Sequence, residues 1–191
     1  MPESLFSSEE VPQSGASRAS ARLAVSVRDA RFEDVPALYA LQRAAMRQYA
    51  ERSGLDPDHA PLESLAETED DVAVAVARGG VLIACSPQDP YRPLATLRLA
   101  VDSHDVRIVW LTRFAVDPEL QARGVGRRLY QAAVDWARAA GARRICLHTA
   151  LANSETTAFY TSLGFGLLEI SDTRGYERGL FCHPFADEDA S

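Results

Sequence analysis

The chain has 191 residues, a formal net charge of −7 and 47% apolar residues, which are the values of a globular domain. All 20 of its basic residues are arginine, which excludes mechanisms that need a lysine, such as a Schiff base, a Walker A loop or a lysine general base. The acidic balance argues against broad nucleic-acid binding, and no apolar run approaches the roughly 18 residues of a membrane span.

The two ends of the chain differ in composition from its middle. Residues 1–22 are rich in Ser, Glu and Ala and lack the apolar stretch of a secretory signal. We therefore expect a disordered tail there and a cytoplasmic protein. Residues 23–186 are predicted to form one domain, and residues 187–191 an acidic C-terminal end.

The three cysteines, Cys85, Cys146 and Cys182, are far apart in the sequence, and no Cys-x-x-Cys pair occurs. This spacing gives no support for a zinc site or a redox motif. Two of the three lie in apolar, strand-like runs, so we expect buried thiols without a chemical role.

The first half of the domain predicts short strands around one long helix. Asp34 with Pro36 has the signature of a helix start, and apolar residues follow at helical spacing. Alternating valine and alanine before Gly79-Gly80 predict a β-hairpin. The predicted elements are a strand at 23–27, a helix at 34–53, a loop or short helix at 56–67, hairpin strands at 72–77 and 81–85, and a loop at 86–93.

The second half predicts strands that alternate with two helices. Val125, Leu129 and Trp136 belong to an apolar stripe at helical spacing that Gly141 ends. The predicted elements are strands at 94–101 and 106–116, a helix at 124–140, a strand at 144–149, a helix at 154–162, and strands at 165–170 and 177–182.

This order predicts an α/β (α+β) fold. Early strands joined by short turns should pair antiparallel, whereas the two strands joined by the helix at 124–140 should pair parallel with a right-handed crossover. The expected architecture is a mixed, mostly antiparallel sheet with a central parallel pair, flanked by helices.

The sharpest local feature is the segment Gln121-Ala122-Arg123-Gly124-Val125-Gly126-Arg127-Arg128, between a predicted strand and a predicted helix. Glycine lets the backbone approach a ligand closely, and the first N–H groups of a helix attract anions. The arginines add positive charge to this turn. The segment therefore predicts a phosphate or pyrophosphate site.

Other interpretations of this segment are weaker or remain open. A P-loop requires the lysine that the chain lacks. A Rossmann fingerprint requires a third glycine where Leu129 stands, and it belongs to an early βα unit. A simple glycine turn with solvated arginines is the structural alternative.

Longer stretches around this segment resemble a known family. Leu111 to Gly126 resembles motif A of the GNAT acyltransferase superfamily, which is a strand, an acidic-proline turn and [Q/R]-x-x-G-x-[G/A]. Asn153 to Phe165 resembles its motif B, N-x-x-A-x-x-[FL]-Y-x-x-x-G-F, with Thr156 in place of the usual alanine. The two motifs follow in the family's order and separation, and the resemblance covers about residues 23–185.

The resemblance implies a GNAT-like fold that binds acetyl-CoA, or another acyl-CoA, as cosubstrate without a metal. Asn153 matches the asparagine that contacts the pantetheine arm, although it also fits a helix N-cap. Tyr160 matches the tyrosine near the thioester sulfur, although it also fits a core aromatic. The implied positions are Phe114 and Val116 beside the pantetheine arm, and Gln121, Arg123, Gly124, Val125, Gly126 and Arg127 around the pyrophosphate.

Attack of an amine on a thioester needs hydrogen-bond donors for the oxyanion and for the departing thiolate. Backbone N–H groups near Phe114–Val116 would serve the oxyanion, and the Tyr160 hydroxyl would serve the sulfur. Proton transfer from an ordinary tyrosine to a thiolate is uphill by about 2 kcal/mol, so a strong hydrogen bond is the more cautious expectation.

The base that deprotonates the amine is not evident from the sequence. Some family members carry a glutamate on the central strand, but residues 110–113 contain none. His148, in an apolar strand, is expected to be a core or sheet-surface residue. The candidates are a water chain, Glu33, His104, Asp105 and Glu177, each of which also fits a solvated surface position.

Arg98 and Arg113 interrupt two adjacent predicted strands. If they face the acceptor cleft, their planar guanidinium groups would clamp a substrate carboxylate. Outward-facing or ion-paired arginines are the alternative.

Together these features indicate an N-acyltransferase that moves an acetyl group from acetyl-CoA to a primary amine by direct attack in a ternary complex. The main alternative is a CoA-binding sensor or assembly module without turnover, and a nucleotide-binding regulator is a third hypothesis. The expected partner is a small-molecule or peptide amine, with no nucleic acid or membrane, and a homodimer is a further expectation.

Overall fold

The computed structural model describes residues 23–59 and 62–186; the predicted tail at 1–22 and acidic end at 187–191 lie outside the described residues. The strands are β1 Ser26–Asp29, β2 Val81–Ser86, β3 Asp89–Val101, β4 Ile108–Val116, β5 Arg144–Ala150, β6 Gly166–Ser171 and β7 Arg178–Pro184. The helices are α1 Val35–Arg52, α2 Glu63–Ala66, α3 Glu69–Arg78, α4 Val125–Ala139 and α5 Ser154–Ser162, with 3₁₀ turns at Phe32–Asp34 and Pro118–Leu120.

The seven strands form one sheet in the order β1-β2-β3-β4-β5-β7-β6. All neighbouring strands pair antiparallel except β4 and β5, which pair parallel and are joined through α4. The predicted mixed sheet with a central parallel pair is therefore confirmed.

Helix α1 begins where the sequence predicts, but Asp34 has another role than the predicted cap. Its buried carboxylate accepts hydrogen bonds of 2.7 and 2.9 Å from Arg28 and one of 2.7 Å from the Arg31 amide. No α1 amide donates to it. Asp34 therefore joins β1 to the start of α1 as an ion-pair partner.

The hairpin strand predicted at 72–77 is wrong, because this segment lies in α3. Thr68 and Asp71 form a capping box in which the Asp71 amide donates to Thr68 Oγ1 at 3.2 Å, and Asp71 Oδ2 accepts from the Thr68 amide at 2.9 Å. Acidic residues in the first turn favour this helix start. Gly79 ends the helix instead of turning a hairpin.

The loop predicted at 86–93 is also mostly wrong. Strand β3 already begins at Asp89, and a tight turn at Pro87-Gln88 joins it to β2. The pairing of β2 with β3 shifts register at Cys85 and Ser86, and Pro90 and Pro93 lie in this irregular part. Prolines are tolerated in a strand where the hydrogen-bond ladder is interrupted.

The sheet has helices on both faces, with a core under each. On one side, called the α4 face, Leu129 and Ala133 of α4 pack against strand residues such as Leu97 and Ile145. On the other side, called the α1 face, Leu38 of α1 and Val72 of α3 pack against β2. Away from bulges, alternate residues of a strand point to opposite faces, so these strand positions can be assigned to one of the two faces.

Strands β4 and β5 separate after their first three residues. Only Ile108–Trp110 pairs with Arg144–Cys146. A β-bulge follows at once, because Arg113 and Phe114 together oppose Leu97 of β3, and Arg113 has a φ of 53°. Bulges bend the strand that contains them, which is consistent with β4 leaving β5 here.

The expectation that all three cysteines are buried thiols is wrong for two of them. Cys146 and Cys182 stand directly opposite each other on β5 and β7, with Cα atoms 4.1 Å apart, and form a disulfide. Cys85 is a buried free thiol, as expected. Strand pairing brings together two cysteines that are 36 residues apart in sequence, which sequence spacing does not reveal.

Candidate functional site

The gap between β4 and β5 opens into a cavity of about 920 Å³. Tyr49 of α1 and Glu63 of α2 line it from the α1 face, whereas Gly126 of α4 and Tyr160 of α5 line it from the α4 face. The cavity therefore reaches both faces of the sheet through the gap. Its volume lies at the upper end of the range of about 300–1,000 Å³ for small-molecule sites, which suits a large ligand.

The backbone of β4 forms one side of the gap. Phe114, Ala115 and Val116 all line the cavity. In this part of β4, one edge pairs with β3, and the edge that faces β5 is unpaired. On the other side, the Ala150 amide of β5 donates to the Tyr49 hydroxyl at 2.6 Å. The edge of β4 thus resembles an unpaired strand edge, which an extended ligand can extend by hydrogen bonding.

A left-handed turn leads from β4 into α4. Ala122 and Gly124 have φ values of 61° and 85°, and Gly124 is the N-cap residue. The first backbone bond of α4 runs from the Arg128 amide to the Gly124 carbonyl. The preceding amides at Val125, Gly126 and Arg127 are the N–H groups that a helix start leaves without an intrahelical acceptor. They lie where the sequence predicts an anion site, which stays a prediction.

Gly126 is needed for packing as well. A Cβ there would lie 3.3 Å from both Phe159 Cζ and Val116 Cγ2 and 3.6 Å from Phe114 Cζ. The missing side chain lets α4 approach these aromatic rings. Only the Gly126 backbone is therefore available to a ligand.

The arginines of this turn differ in their surroundings. Arg127 lines the cavity and donates to the Ser162 hydroxyl at 2.9 Å, which ties the start of α4 to the end of α5. Arg123 and Arg128 are exposed, outside the cavity lining, and have no side-chain hydrogen bond or ion pair to a described residue. Both can approach a long anionic ligand only at the rim.

A chain of polar side chains in the cavity lining joins the end of α1 to the glycine turn and to α5. Arg52 donates to Glu155 Oε2 at 2.7 Å and to Gln121 Oε1 at 2.9 Å. Gln121 in turn donates to Gln48 at 2.7 Å. These bonds hold Gln121 between α1 and the glycine turn.

Asn153 has the role of the predicted helix cap and also faces the cavity. It is 2% exposed, and its Oδ1 accepts a 3.0 Å hydrogen bond from the Thr156 amide at the start of α5. Its Nδ2 has no hydrogen-bond acceptor in the described part of the chain. The side chain therefore caps α5 through oxygen and keeps a donor for a ligand.

Tyr160 lines the cavity from α5. Its ring packs against Phe114, Phe159 and Phe165, and the residue is 8% exposed. Its hydroxyl has no hydrogen bond to a residue that the structure describes. Burial raises the pKa of Tyr160 far above its usual value, and the nearby Tyr49 adds to this shift. The hydroxyl is therefore a protonated donor at every physiological pH.

His148 lies on the sheet surface, one of the two positions expected from the sequence, but it was not among the candidate bases. It is exposed to the cavity on the α1 face, opposite in direction to Leu147, and it stacks on Trp110 with ring centroids 5.4 Å apart. Burial, Arg178 and Arg174 lower its pKa from the ordinary 6.5. The signal that could have identified His148 as a cavity residue was its polar side chain in a predicted strand that is otherwise mostly apolar.

None of the four side chains considered as a base lines the cavity. Asp105 accepts hydrogen bonds from Arg107, which lower the pKa of Asp105 to about 2. Glu33 is exposed and lies within ion-pair distance of Arg31. His104 and Glu177 lie outside the lining as well.

Arg98 and Arg113 share the carboxylate of Glu67. Arg98 forms a bidentate pair with Glu67 at 2.7 and 3.0 Å and also donates to Gln42, outside the cavity lining. Arg113 lines the cavity, and its Nε lies 3.1 Å from Glu67. Both arginines therefore have the ion-paired role that was the alternative to a substrate clamp, although Arg113 also lines the cavity.

The structure thus brings most predicted site residues to one cavity. Among them, those that line it are Phe114, Val116, Gln121, Gly124, Gly126, Arg127, Asn153, Tyr160 and Arg113. Those outside the lining are Arg98, Arg123 and the buried Val125. None of the helices at 23–59 and 62–186 is long and apolar enough to cross a membrane.

Known proteins are similar to this chain in fold and in sequence. In structure, the chain is similar to the PaiA N-acetyltransferase of Thermoplasma acidophilum in complex with coenzyme A, with a TM-score of 0.67 and 16% identity over 85% of this chain and all of the other. It is also similar to YncA, a putative acetyltransferase of Salmonella typhimurium with acetyl-CoA, with a TM-score of 0.68 and 16% identity over 88% and 98% of the two chains.

Sequence comparison leads to the same class. An aminoglycoside N(6′)-acetyltransferase type 1 of Klebsiella aerogenes is 30% identical over 133 residues, which are 68% of this chain and 86% of the relative. One of Stenotrophomonas maltophilia is 31% identical over 119 residues, 60% and 74% of the two chains. Residues 35–165 match the model of the acetyltransferase (GNAT) family. The chain belongs to this family of acetyltransferases.

Proposed function

We propose that the protein transfers an acetyl group from acetyl-CoA to a primary amine by direct attack in a ternary complex. The observation that carries this proposal is the single cavity in which the free edge of β4, the N-terminal amides of α4 and the Tyr160 hydroxyl meet. The acceptor would enter from the α1 face and acetyl-CoA would lie toward the α4 face.

The described residues fit coenzyme A. The amides of the glycine turn would hold the pyrophosphate, with Arg127 beside them. The backbone of Phe114–Val116 would pair with the amide groups of the pantetheine arm, and Asn153 Nδ2 would donate to it. Gln121, held by Arg52 and Gln48, would cover the arm at the mouth of the cavity.

The proposed chemistry assigns a separate task to each group. A backbone N–H of the β4 edge stabilises the oxyanion that forms when the amine attacks the thioester carbonyl. The Tyr160 hydroxyl donates a hydrogen bond to the departing sulfur. Because burial raises the pKa of Tyr160, complete proton transfer to a thiolate with an ordinary pKa near 8.5 is more unfavourable than for an exposed tyrosine. Tyr160 therefore acts as a hydrogen-bond donor to the leaving group.

We assign the general base to His148. A base must be neutral before it can accept the proton of the amine, and the lowered pKa of His148 keeps the imidazole neutral at pH 7. It lies on the acceptor side of the gap, and its stacking on Trp110 fixes the ring. The missing base was the main support for a CoA-binding module without turnover, and a neutral histidine on the acceptor side supports turnover instead.

The proposed function allows several classes of amine as the acceptor. The relatives named above are aminoglycoside acetyltransferases, and an aminoglycoside is one candidate acceptor for this chain. Small amines, amino acids and peptide N-termini are the others. The amine need only reach His148 from the α1 face.

A homodimer is part of the proposal. Strand β6 is an edge of the sheet, and its side chains Leu167, Leu168 and Ile170 are 46%, 63% and 56% exposed. An apolar edge strand favours pairing with a second copy. Light scattering should give twice the mass of the chain for the wild type and the mass of one chain for Leu168→Glu.

A cytoplasmic location is also retained as a prediction. Disulfides are uncommon in the cytosol, so the Cys146–Cys182 pair is the feature that argues against it. Detection of the protein in cell fractions, with its thiols blocked before lysis, tests both points together.

Calorimetric titration with acetyl-CoA, ATP and NAD tests the cofactor class. We expect acetyl-CoA to bind and both nucleotides to bind far more weakly. Tighter binding of ATP or NAD would overturn the assignment of the cavity to coenzyme A.

A further inference from the structure

Arg178 is a cavity residue whose charge has no partner among the described residues. It begins β7, lines the cavity and is partly buried. Its side chain has no hydrogen bond or ion pair to any residue in the described parts of the chain. A partly buried guanidinium without an anionic partner is unfavourable, because water no longer solvates it fully.

Sheet register places Arg178 beside the proposed base. Arg178 pairs with Ala150, and His148 pairs with Leu180, so the side chains of Arg178 and His148 lie on the same face of the sheet. That face is the α1 face, from which the acceptor would enter. The effect of Arg178 on the pKa of His148 agrees with this proximity.

Other charges around the cavity do not neutralise Arg178. Five arginines and two glutamates line the cavity. Both lining glutamates are occupied, since Glu63 pairs with Arg174 at 2.6 Å and Glu155 pairs with Arg52 at 2.7 Å. Glu67, outside the lining, is already shared by Arg98 and Arg113. On the acceptor side, Glu169 of β6 also acts on His148 and raises its pKa, but it forms no ion pair with Arg178. Arg98, Arg113, Arg174 and Arg178 stand against Glu63, Glu67 and Glu169, so positive charge is in excess among these groups.

We propose that the acceptor is an amine that also carries a carboxylate, and that Arg178 binds this carboxylate. The inference rests on the proposed function and narrows its acceptor class. A guanidinium offers two parallel N–H groups that match a carboxylate, which the ammonium group of lysine does not. Arg113, with its guanidinium on the same cavity, adds to the attraction for an anion. An acceptor with several positive charges would meet this excess of arginine and be repelled.

Turnover of matched acceptors tests the proposal. The common L-amino acids are compared with their α-carboxamides by release of the CoA thiol, in wild type, Arg178→Gln and Arg178→Lys. We expect at least one amino acid to have a KM about tenfold or more below that of its carboxamide. With both substrates assayed at about pH 8, where an imidazole with a pKa at or below the ordinary 6.5 is neutral, Arg178→Gln should abolish this difference in KM, and Arg178→Lys should restore part of it. Arg128→Gln, which removes an exposed arginine on α4, is the matched control and should leave the difference unchanged.

Three results would overturn the proposal. The first is equal KM values for every acid and its carboxamide, and the second is a preference that survives Arg178→Gln. The third is a preference for spermidine or for O-phosphoethanolamine, which would indicate a cationic or a phosphate-bearing acceptor instead.

A binding measurement separates this proposal from the proposed function. The same acids and carboxamides are titrated into protein saturated with CoA, where no acetyl group can transfer. Selective binding of an acid that Arg178→Gln abolishes would support the carboxylate site even if no amine is acetylated. If amines are acetylated but no acid binds more tightly than its carboxamide, the proposed function stands and the carboxylate site is rejected. Circular dichroism and CoA titration confirm that the variants fold.

Discussion

Tyr160 shows how burial determines the chemistry that a side chain can perform. Three aromatic rings surround it, and burial keeps its hydroxyl protonated. A donor that meets the sulfur only as charge develops there lowers the barrier more than it strengthens ground-state binding.

Replacing Tyr160 with phenylalanine should therefore lower kcat by about 10–10⁴-fold, between the loss of a hydrogen bond and the loss of acid catalysis. KM for acetyl-CoA should change little, because the glycine turn and Asn153 are intact. Steady-state kinetics measure both, and Tyr91→Phe, at a site that is 70% exposed, is the control. Full kcat in Tyr160→Phe would show that the leaving group needs no help from this residue.

His148 should control the pH dependence of the reaction. Because burial, Arg178 and Arg174 lower its pKa below 6.5, the base is neutral at pH 7 and becomes protonated only in more acidic solution. We expect kcat/KM to fall as the pH drops through a value below 6.5. In Arg178→Gln this fall should move to higher pH, since a positive charge near the imidazole is lost.

His148→Gln should remove this acidic limb and lower kcat/KM by about 10²–10⁴-fold at pH 7. His104→Gln, in an exposed turn outside the cavity, is the control. If His148→Gln keeps the limb and most of the activity, a water molecule or another residue takes the proton.

At the scale of elements, the turn into α4 determines where phosphate would bind. Gly124 has a φ of 85°, and a Cβ there would meet no atom within 4 Å. Asn and Asp enter this left-handed region more readily than other side chains, so the two substitutions introduce the same strain. They differ only by one negative charge at the helix start.

Gly124→Asp should therefore raise the Kd for acetyl-CoA about tenfold over that of Gly124→Asn in low salt. Calorimetric titration of both variants measures the ratio. A ratio near one would mean that the pyrophosphate binds elsewhere. Gly126 is the poorer test, because any side chain there meets Phe159 and Val116 and would disturb packing.

Most elements could be predicted from the sequence because their signals are local. The stripe that begins at Val125 and the motif from Asn153 to Phe165 gave α4 and α5 nearly to the residue. The segment at 72–77 misled because valine and alanine alternate there, although the deciding signal was the capping box at Thr68 and Asp71 just before it. In a segment this short, a capping box is stronger evidence for a helix than alternating valine and alanine are for a strand.

The residues of the candidate site also fall into those with a local sequence signal and those without one. Gly124, Asn153 and Tyr160 lie in motifs, so their places could be predicted. The roles of His148 and Arg178 depend on which face of the sheet each one occupies and on the gap between β4 and β5, and both follow from strand pairing. Pairing partners far apart in sequence carry no local signal.

At the scale of the whole molecule, the disulfide between Cys146 and Cys182 joins β5 to β7 beside the cavity. A bridge that closes a loop of 36 residues is expected to stabilise the fold by about 2–4 kcal/mol. A reductant should lower the free energy of unfolding of the wild type by this amount in urea titrations. The double variant Cys146→Ala/Cys182→Ala should not respond to the reductant.

Thiol titration of the unfolded, oxidised protein is the independent check. It should find one thiol, that of Cys85, and three after reduction. Three thiols before reduction would contradict the disulfide.

The central claim is that one cavity brings acetyl-CoA and an amine together for transfer, and acetyl-CoA-dependent thiol release over a panel of amines tests it most directly. We predict that thiol appears faster than by hydrolysis only with an amine present, that mass spectrometry finds the acetylated amine, and that Tyr160→Phe slows both. If acetyl-CoA binds but no amine in the panel releases thiol above the rate of hydrolysis, the protein is a CoA-binding module and the claim of transfer is wrong.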